Sequence, residues 1–298
     1  MADAVFAEEM ARCGSGGVAA GVGAHTSIAT PPIARFGTPG QHARWLEPAI
    51  RGEKIGALAI TEPGAGSDVA SIRTRARRVD GGWVVDGAKT YITNGVRADF
   101  YVTAVRTRDD PSHGGLSFLV LERGDGVSAS PLAKLGWHAS DTAELAFSEV
   151  FVPDEHLLGE EGSGFYLVVA NFQWERLLMA LGAVGSMRAA LEGALPRLAG
   201  RGQAVRHAVA ALATRAEAAA ALTHHALRRF LDGGDAVREV TMAKLATQRT
   251  SFELHDALLG LLGPDPELER AARDSRLGPI GGGTDEIMRE ILGRSLGL

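Results

Sequence analysis

Long stretches of helical periodicity after Gly164 are the feature that most limits how this chain can fold. Alanine and leucine recur there at intervals of three and four residues, which gives a helix one apolar face. Glycine and proline separate the stretches, so consecutive helices are joined by short connections and run antiparallel. The pattern predicts a bundle of three long helices and a shorter one, at 165–198, 203–231, 235–262 and about 284–292.

Residues 55–153 have a different sequence pattern. Short runs of β-branched and aromatic residues alternate there with turn sequences, a pattern that predicts strands. Residues 1–53 have a mostly helical pattern, with breaks predicted at Gly14–Gly17 and at Pro31–Pro32. The clearest predicted strands are 83–85, 100–105, 116–121 and 143–152, and the predicted turns are 80–82, 109–115 and 124–126.

The order of these regions predicts an α+β fold with three domains. A helical domain over residues 1–54 precedes a β domain over 55–158, and a C-terminal antiparallel helical bundle follows over 159–298. The chain has 298 residues, of which 45% are hydrophobic, and a chain of this size can bury a substantial core.

Charge and composition exclude several classes of function. The net charge is only −5 and no dense Lys/Arg block occurs, so we expect no nucleic-acid partner. No apolar run reaches the length of a membrane span, and the first residues lack the order of a secretion signal. The one cysteine, Cys13, suits a reducing compartment, so a cytoplasmic protein is expected. The histidines do not stand at metal-ligand spacing, so no metal site is predicted.

Two polar segments in the β region carry the clearest chemical signal. The first reads Ala-Leu-Ala-Ile-Thr-Glu-Pro-Gly-Ala-Gly-Ser-Asp over residues 57–68. Such a loop can bring backbone N–H groups and the hydroxyls of Thr61 and Ser67 to a flat polar ligand. The second reads Gly-Ala-Lys-Thr-Tyr-Ile-Thr-Asn-Gly over residues 87–95 and places Thr93 and an aromatic ring at the end of a strand. Taken singly, each segment is equally compatible with an ordinary β-turn.

In this order, the two segments resemble the signature of the acyl-CoA dehydrogenase family. Its Thr-Glu-Pro-x-Ala-Gly-Ser-Asp loop corresponds to residues 61–68, and its Trp/Tyr-Ile-Thr-Asn-Gly strand to residues 91–95. The resemblance implies a middle β domain that holds FAD against the helical bundle, with the acyl chain between them. It continues through Gly-Trp-His-Ala-Ser, Phe-Ser-Glu-Val-Phe-Val-Pro, Arg-Asp-Ser-Arg and Ile-Gly-Gly-Gly-Thr-Asp-Glu-Ile, at 136–140, 147–153, 273–276 and 280–287.

The resemblance also implies roles for individual residues. The last helix begins at a Thr-Asp-Glu sequence, and the unpaired N–H groups of a helix start suit an anionic flavin or phosphate. The implied cofactor-binding residues are Leu58, Ile60, Thr61, Gly66, Ser67, Tyr91, Ile92, Thr93, Thr284, Asp285 and Glu286, and the implied substrate-binding residues are Ser67, Phe172, Gln173, Arg176, Gly282 and Gly283.

The position of the catalytic base departs from a common family pattern. The family's reaction removes an α-proton from a thioester while a hydride leaves the β-carbon for flavin N5, and the base is a carboxylate in a dry site. Many members carry that glutamate before the Gly-Thr of the C-terminal motif, where this chain has Gly282. The isovaleryl and long-chain enzymes place it on the first bundle helix instead, and Glu175 with Arg176 matches that arrangement. We therefore predict Glu175 as the base, tuned by Arg176.

Helical spacing supports this assignment independently. Glu175 shares a helix face with apolar residues on both sides, and a carboxylate there is costly to bury without a partner or a function. Taken alone, the pattern also fits a surface glutamate paired with a nearby arginine. Glycine at position 282 still provides the N–H that polarises the thioester carbonyl in the family. The apolar residues on that face are Val168, Phe172, Leu178 and Met179.

Three departures concern other parts of the family pattern. The N-terminal helical domain is only partial, as in a shortened chain, although an incorrectly assigned start codon would explain this equally well. The family's Arg-x-x-Phe-Gly and Gln-x-x-Gly-Gly segments, which reach a neighbouring subunit's FAD, are not matched, and the expected Gln aligns with Leu259. Contacts to the chain's own flavin are thus retained and those to a neighbour's are lost. We expect a homo- or hetero-oligomer in which a related chain supplies the missing contacts.

The sequence therefore predicts FAD-dependent α,β-dehydrogenation of an acyl-CoA or acyl-carrier thioester. By family analogy, an electron-transfer flavoprotein is the expected acceptor. Two alternatives stay open: a non-catalytic subunit of a heteromeric dehydrogenase, and a flavin oxidase or monooxygenase on the same fold. The position of the base points weakly to branched or long acyl groups.

Overall fold

The chain is described by a computed structural model over residues 1–110 and 113–298. It folds as two compact units, whose limits differ from those of the three domains predicted above, and the three-domain division stays a prediction. The first unit comprises residues 1–19, 135–139 and 172–298, and the second comprises residues 20–134 and 140–171.

Secondary structure is helical towards both ends of the chain and stranded in the middle, as the sequence predicts. The helices are α1 (Ala2–Met10), α2 (Gly16–Gly23), α3 (Thr30–Phe36), α4 (Pro39–Gln41), α5 (Glu47–Ile50), α6 (Gly164–Leu198), α7 (Gln203–Leu231), α8 (Val237–Leu262), α9 (Pro266–Ser275) and α10 (Asp285–Ser295). The strands are β1 (Gly56–Ala59), β2 (Arg75–Val79), β3 (Gly82–Thr93), β4 (Phe100–Arg106), β5 (Leu116–Glu122), β6 (Val127–Pro131), β7 (Thr142–Pro153) and β8 (Leu157–Leu158).

The strands of the second unit form one sheet. Across it the order is β6, β7, β3, β2, β4, β5 and β8, and β1 pairs with β4 outside this path. Neighbouring strands run antiparallel except for β1 beside β4 and a single parallel contact of β2 with β4. Strand β3 pairs with β7 along its length and ends at Thr93. Side chains of these strands, among them Trp83, Tyr101 and Phe147, form one apolar core beneath the sheet.

The four clearest predicted strands are confirmed, each within a longer strand: β3, β4, β5 and β7. In the predicted turn at 109–115, residues 111 and 112 lie outside the described residues, and His113–Gly115 forms a 3-10 turn. Strand β2 was not predicted, because it reads Arg-Ala-Arg-Arg-Val and buries only Ala76. Pairing with β3, rather than an apolar pattern of its own, makes this segment a strand.

The first unit is built around α6, α7 and α8, whose apolar faces form its core. Helix α7 has the predicted limits, and the starts of α6 and α8 differ from the prediction by one and two residues. Helix α9 was not predicted, because its sequence is strongly polar. It begins at Pro266, and the Asp265 carboxylate accepts hydrogen bonds from the N–H groups of Glu267 and Leu268. The core residues include Met187, Leu191, Leu212, Ala216, Leu254 and Leu258.

The break predicted at Pro31–Pro32 is wrong. Helix α3 begins at Thr30, directly after a π-helical segment, so the missing N–H groups of Pro31 and Pro32 leave carbonyl groups of the preceding turn to another donor. The π-helical segment Ala24–Ala29 directly precedes α3. The Thr30 hydroxyl donates to the carbonyl groups of His25 and Thr26, at 3.0 and 3.1 Å. Helical backbone therefore continues across the prolines.

Among the described residues, α6 alone is long and apolar enough to cross a membrane by length and composition. Half of the qualifying stretch is buried, and the core helix of a soluble protein meets the same criterion. The later part of α6 buries Leu177, Leu181 and Val184 within the first unit. This burial is typical of a bundle helix, so the criterion is a weak indication of a membrane span.

The close approach of α1 to α6 depends on glycine at position 185, because a Cβ there would overlap the carbonyl oxygen of Glu8. We expect Gly185→Ala to lower the free energy of unfolding by about 1–3 kcal/mol, the usual cost of overpacking. The matched control is Gly193→Ala on the same helix, where a Cβ meets open space. That change should be neutral or stabilising by about 0.5–1 kcal/mol. Urea unfolding measures both, and equal effects would contradict the contact.

Candidate active site

The polar loop at 61–68 closes on itself in the second unit. The Glu62 N–H donates to the Ala65 carbonyl at 2.9 Å, and the Ala65 N–H donates to the Glu62 carbonyl at 3.1 Å. The N–H of Thr90, on β3, donates to the Thr61 carbonyl at 2.8 Å. The two polar segments singled out in the sequence are therefore joined side by side.

A buried ion pair fixes this loop. The Lys89 side chain has no exposure, and its Nζ donates to Glu62 Oε1 at 2.8 Å and to the Ile60 carbonyl at 3.0 Å. The Glu62 carboxylate also accepts from the N–H groups of Arg73 and Thr74, at 2.7 and 2.9 Å. Burial raises the pKa of Glu62, but the Lys89 ammonium and these donors outweigh burial and hold that pKa below its usual value. Burial lowers the pKa of Lys89 to about 8. The sequence placed both residues in the polar segments without assigning them a role.

Tyr91 presents an aromatic ring to solvent from an unusual backbone conformation. Its φ is 59°, in the left-handed region, and 71% of the residue is exposed. The pairing of β3 with β7 shifts register between Lys89 and Ile92, so Tyr91 lies in a bulge. A left-handed non-glycine residue costs about 1–2 kcal/mol, and such strain is concentrated at functional sites. The Ile92 side chain is buried in the sheet core, which leaves only its backbone for a ligand.

These residues fit the flavin that the resemblance implies. Within the described part of the chain, the hydroxyl groups of Thr61, Ser67 and Thr93 have no hydrogen-bond partner, so they are available to a ligand. Hydroxyl groups and an exposed ring at Tyr91 are the groups that a flat ring system with polar edges can contact. The donor set of the second unit is thus compatible with one part of FAD.

In the first unit, Glu175 lies on α6 with one carboxylate oxygen enclosed. The residue as a whole is half-buried, but Oε2 is fully enclosed and has no hydrogen-bond partner among the described residues. Burial raises the pKa of Glu175 to about 7, against the opposing charges of Arg176 and Lys244. A carboxylate whose pKa lies near neutrality in a dry environment is suited to accept a proton.

Arg176 connects this helix to the glycine-rich segment at 281–283. It is 9% exposed, and its Nε donates to the Gly282 carbonyl at 3.1 Å. Its guanidinium lies over the Phe172 ring, 5.3 Å from the centroid. Burial lowers the pKa of Arg176, and Glu175 opposes this change. The neighbouring Gln173 is half-buried, and its amide has no hydrogen-bond partner in the described ranges.

Gly282 has a φ of +62°, and its neighbours occupy the space that a side chain would need. A Cβ at this position would lie 2.5 Å from Met179 Sδ and 3.8 Å from Glu175 Oε1. The Glu175 carboxylate thus reaches the space beside position 282 from α6. The structure brings the predicted base and the predicted substrate-binding glycine together.

The start of α10 carries the Thr-Asp-Glu sequence. Thr284 caps the helix, because its Oγ1 accepts from the Ile287 N–H at 3.3 Å. The Asp285 carboxylate lies 3.4 Å from Arg249 Nη2, yet neither oxygen accepts a hydrogen bond from a described residue. Glu286 is exposed, and its own backbone N–H together with the Thr284 hydroxyl holds its pKa below the usual value.

Lys244 is a residue of this site that sequence reasoning missed. Its side chain on α8 is fully buried, and its Nζ donates to the Gly283 carbonyl at 2.6 Å. Burial lowers its pKa to about 8, and the charge of Asp285 opposes this shift. The sequence did contain a signal for this residue: a single lysine within a helix that forms core.

The structure places the predicted residues in two sets, and their roles stay predictions. The second unit brings together the loop and the end of β3, with Leu58 on β1 and Ile60 directly after it. The first unit brings together α6, the glycine segment and the start of α10. The first set is Leu58, Ile60, Thr61, Gly66, Ser67, Tyr91, Ile92 and Thr93, and the second is Phe172, Gln173, Glu175, Arg176, Gly282, Gly283, Thr284, Asp285 and Glu286.

Three domains of one family match this chain. The N-terminal, middle and C-terminal domains of acyl-CoA dehydrogenase match residues 1–53, 57–150 and 162–297. The mitochondrial isovaleryl-CoA dehydrogenase of Oryza sativa subsp. japonica is 36% identical over 306 residues, which cover 97% of this chain and 74% of that protein. The mitochondrial long-chain specific acyl-CoA dehydrogenase of Mus musculus is 36% identical over 297 residues, which cover 93% and 68%.

Solved structures with the same fold include flavoproteins. The acyl-CoA dehydrogenase from Geobacillus kaustophilus superimposes with a TM-score of 0.93 at 34% identity, covering 99% of this chain and 82% of that one. An FAD complex of PigA superimposes with a TM-score of 0.95 at 26% identity and covers 99% and 82%. The prolyl acyl carrier protein oxidase AnaB has a TM-score of 0.89 at 29% identity and covers 95% and 79%.

We predict that a side chain at position 282 is not tolerated. Gly282→Ala should cost about 1–2 kcal/mol from its left-handed backbone and about 1–3 kcal/mol from the clash with Met179. The control is Gly52→Ala, at a φ of +74° with open space around its Cβ. It should show only the backbone cost. Urea unfolding compares the two variants, and equal destabilisation would show that Met179 does not confine position 282.

Proposed function

This chain belongs to the acyl-CoA dehydrogenase family, and we propose that it forms an α,β-double bond in an acyl thioester with Glu175 as the base. As a family member it is an oxidoreductase that acts on CH–CH groups, and its cofactor is FAD. One observation carries the assignment of the base. Among the described residues, Oε2 of the Glu175 carboxylate has no hydrogen-bond partner, and Oε1 lies beside the space at Gly282.

In the proposed reaction, Glu175 takes the proton from the carbon next to the thioester carbonyl. The electron pair of that C–H bond forms the double bond while the β-hydrogen leaves with its own electron pair. Bound FAD would supply the acceptor for that hydride. The Gly282 N–H has no acceptor among the described residues, so it is available to the thioester oxygen, where charge develops as the proton leaves.

The charge around Glu175 suits a general base. A buried carboxylate with no positive charge nearby would stay protonated at neutral pH, and a fully ion-paired one would be a weak base. Arg176 and Lys244 lower the pKa of Glu175, but burial outweighs them and the pKa stays near 7. The carboxylate is therefore ionised in part at neutral pH and still basic enough to accept a proton.

For the substrate we propose a branched or long acyl group on CoA or a carrier protein. The position of the base on α6, shared with the isovaleryl and long-chain members by the sequence resemblance, supports this choice. We further propose that electrons pass to an electron-transfer flavoprotein. An oligomer of this chain, with itself or with a related chain, would complete the FAD site, and a cytoplasmic location is our expectation.

A second candidate function is oxidation with oxygen as the acceptor. The similarity to the prolyl acyl carrier protein oxidase AnaB favours it, because the same fold there belongs to an oxidase. A third, a non-catalytic subunit, would leave the enclosed Glu175 carboxylate without a function. Oxygen consumption on addition of a thioester separates the first two candidates, since a dehydrogenase turns over only with an added electron acceptor.

Replacing Glu175 tests the base directly. Glu175→Gln should reduce kcat by about 10²–10⁴-fold, the usual contribution of a general base. In the unmodified enzyme, kcat should fall as the pH drops through about 7, because the protonated carboxyl cannot accept a proton. The control is Glu192→Gln, an exposed glutamate on the same helix. Unchanged turnover in the Glu175 variant would favour a non-catalytic subunit.

The same variant has an effect on stability that does not depend on activity. The pKa of Glu175 is raised in the folded state, so its contribution to stability is full below the unfolded pKa of about 4.3 and is lost as pH rises through about 7. At pH 8, removing the charge should therefore raise the free energy of unfolding by up to about 4 kcal/mol, at about 1.4 kcal/mol per pKa unit. At pH 4 no gain is expected. Urea unfolding at both pH values checks this.

A visible absorption spectrum tests the flavin and the oligomer together. Purified chain with near-stoichiometric FAD that bleaches on addition of isovaleryl-CoA or a long-chain acyl-CoA would establish a self-sufficient dehydrogenase. Colourless protein that gains flavin only when it is co-expressed with a related chain would establish a shared cofactor site. Protein that binds FAD but bleaches with neither thioester would exclude both acyl classes.

A further inference from the structure

Two cations from different helices hold consecutive carbonyl groups beside Glu175. Arg176 Nε, on α6, donates to the Gly282 carbonyl at 3.1 Å, and Lys244 Nζ, on α8, donates to the Gly283 carbonyl at 2.6 Å. Both glycines have positive φ values, +62° and +96°. Glycine reaches these conformations at little cost, but it also leaves them easily, so the side chains decide which conformation the segment keeps.

The direction of each carbonyl fixes the direction of the next N–H group. In a trans peptide the C=O and N–H point to opposite sides of the chain. The N–H groups of Gly282, Gly283 and Thr284 have no acceptor among the described residues. The next N–H, that of Asp285, donates to the Pro279 carbonyl at 2.9 Å. Three successive donors thus have no acceptor among the described residues, and the first of them belongs to Gly282, beside Glu175. The two cations orient the N–H groups of Gly283 and Thr284 directly, because these share peptide units with the two held carbonyls.

Lys244 is an unusual residue for its position. Its side chain is fully buried, and the Gly283 carbonyl is the one acceptor that the described residues give its ammonium. An apolar residue of similar length would avoid the cost of burying a charge. The charges that act on Lys244 come from α6 and α10: Glu175, Asp285 and Glu286 favour its protonated form, and Arg176 opposes it.

We propose that Lys244 is a positioning residue for the reaction: it holds the Gly283 carbonyl and so keeps the segment 282–284, which carries the free N–H groups, in the conformation that places Gly282 beside Glu175. This inference rests on the proposed function. Its ligand is the developing negative charge on the thioester oxygen, for which correctly directed N–H donors are needed. Lys244 touches neither substrate nor cofactor in this account and acts through the glycine segment.

Three substitutions separate the positive charge of the Lys244 ammonium from its role as a hydrogen-bond donor. Lys244→Met removes both the charge and the donor, Lys244→Gln keeps a donor without the charge, and Lys244→Arg keeps the charge. The matched control is Arg238→Met, which removes an exposed cation from the first turn of the same helix. Each variant is examined for FAD content, thermal unfolding, kcat and KM with isovaleryl-CoA or the thioester that bleaches the flavin, and the pH dependence of kcat.

We expect Lys244→Met to retain FAD and to reduce kcat about 10²-fold, on the scale of a lost oxyanion donor, with a smaller change in KM. Because the Lys244 charge lowers the pKa of Glu175, the acid limb of the kcat profile should move to higher pH in the Met and Gln variants. In the Arg variant, which keeps a positive charge, the acid limb should stay at the same pH. A merely structural residue would change thermal unfolding and leave the pH profile unmoved.

The outcomes distinguish this inference from the proposed function. If Glu175→Gln abolishes turnover while Lys244→Met keeps kcat, the base assignment stands and the role of Lys244 is refuted. If Glu175→Gln leaves turnover unchanged, the proposed function itself fails. Should the Met variant not fold, Lys244→Gln and Lys244→Arg decide by kcat: both keep a donor, so retained kcat supports the role, and a loss of kcat with FAD still bound refutes it. A shift in Arg238→Met equal to that of Lys244→Gln would refute a specific role.

Discussion

The cost of removing a carboxylate from water governs the arrangement of the first unit. Burial raises the pKa of Glu175, whose Oε2 has no hydrogen-bond donor in the described part of the chain, to about 7, and the positive charges of Arg176 and Lys244 limit that rise. Those two cations direct their own hydrogen bonds to the Gly282 and Gly283 carbonyls. One electrostatic requirement therefore couples two long helices to a glycine segment, which without these contacts would have several accessible conformations.

In the second unit, a buried carboxylate is fully hydrogen-bonded, in contrast to Glu175. Glu62 is buried, but both of its carboxylate oxygens accept hydrogen bonds, from Lys89 Nζ and from the N–H groups of Arg73 and Thr74. A carboxylate that is paired in this way holds the loop in place, and its lowered pKa makes it a weak base. The contrast identifies which of the two glutamates suits proton transfer, because Glu175 has an enclosed oxygen that accepts no hydrogen bond from a described residue.

Several elements followed directly from sequence patterns. The limits of α6, α7 and α8 were nearly those predicted, because long amphipathic repeats bury one face in any bundle. Strand β2 and helix α9 were missed, since their sequences are polar and neighbours stabilise them: β2 pairs with β3, and Asp265 caps α9. The break expected at Pro31–Pro32 was wrong, because the position of a proline within a helix decides its effect.

The sequence by itself determined the family, the order of helical and stranded regions, and the presence of Glu175 on an apolar helix face, because these depend on local spacing and on ordered motifs. Only the tertiary structure decided which polar atoms lack a partner and which backbone groups face them. Burial of the Glu175 oxygen, the left-handed Tyr91 and the contact of Lys244 with Gly283 each depend on residues distant in sequence or on strand register. Desolvation is a property of the assembled surroundings, and the spacing of residues along one chain does not specify it.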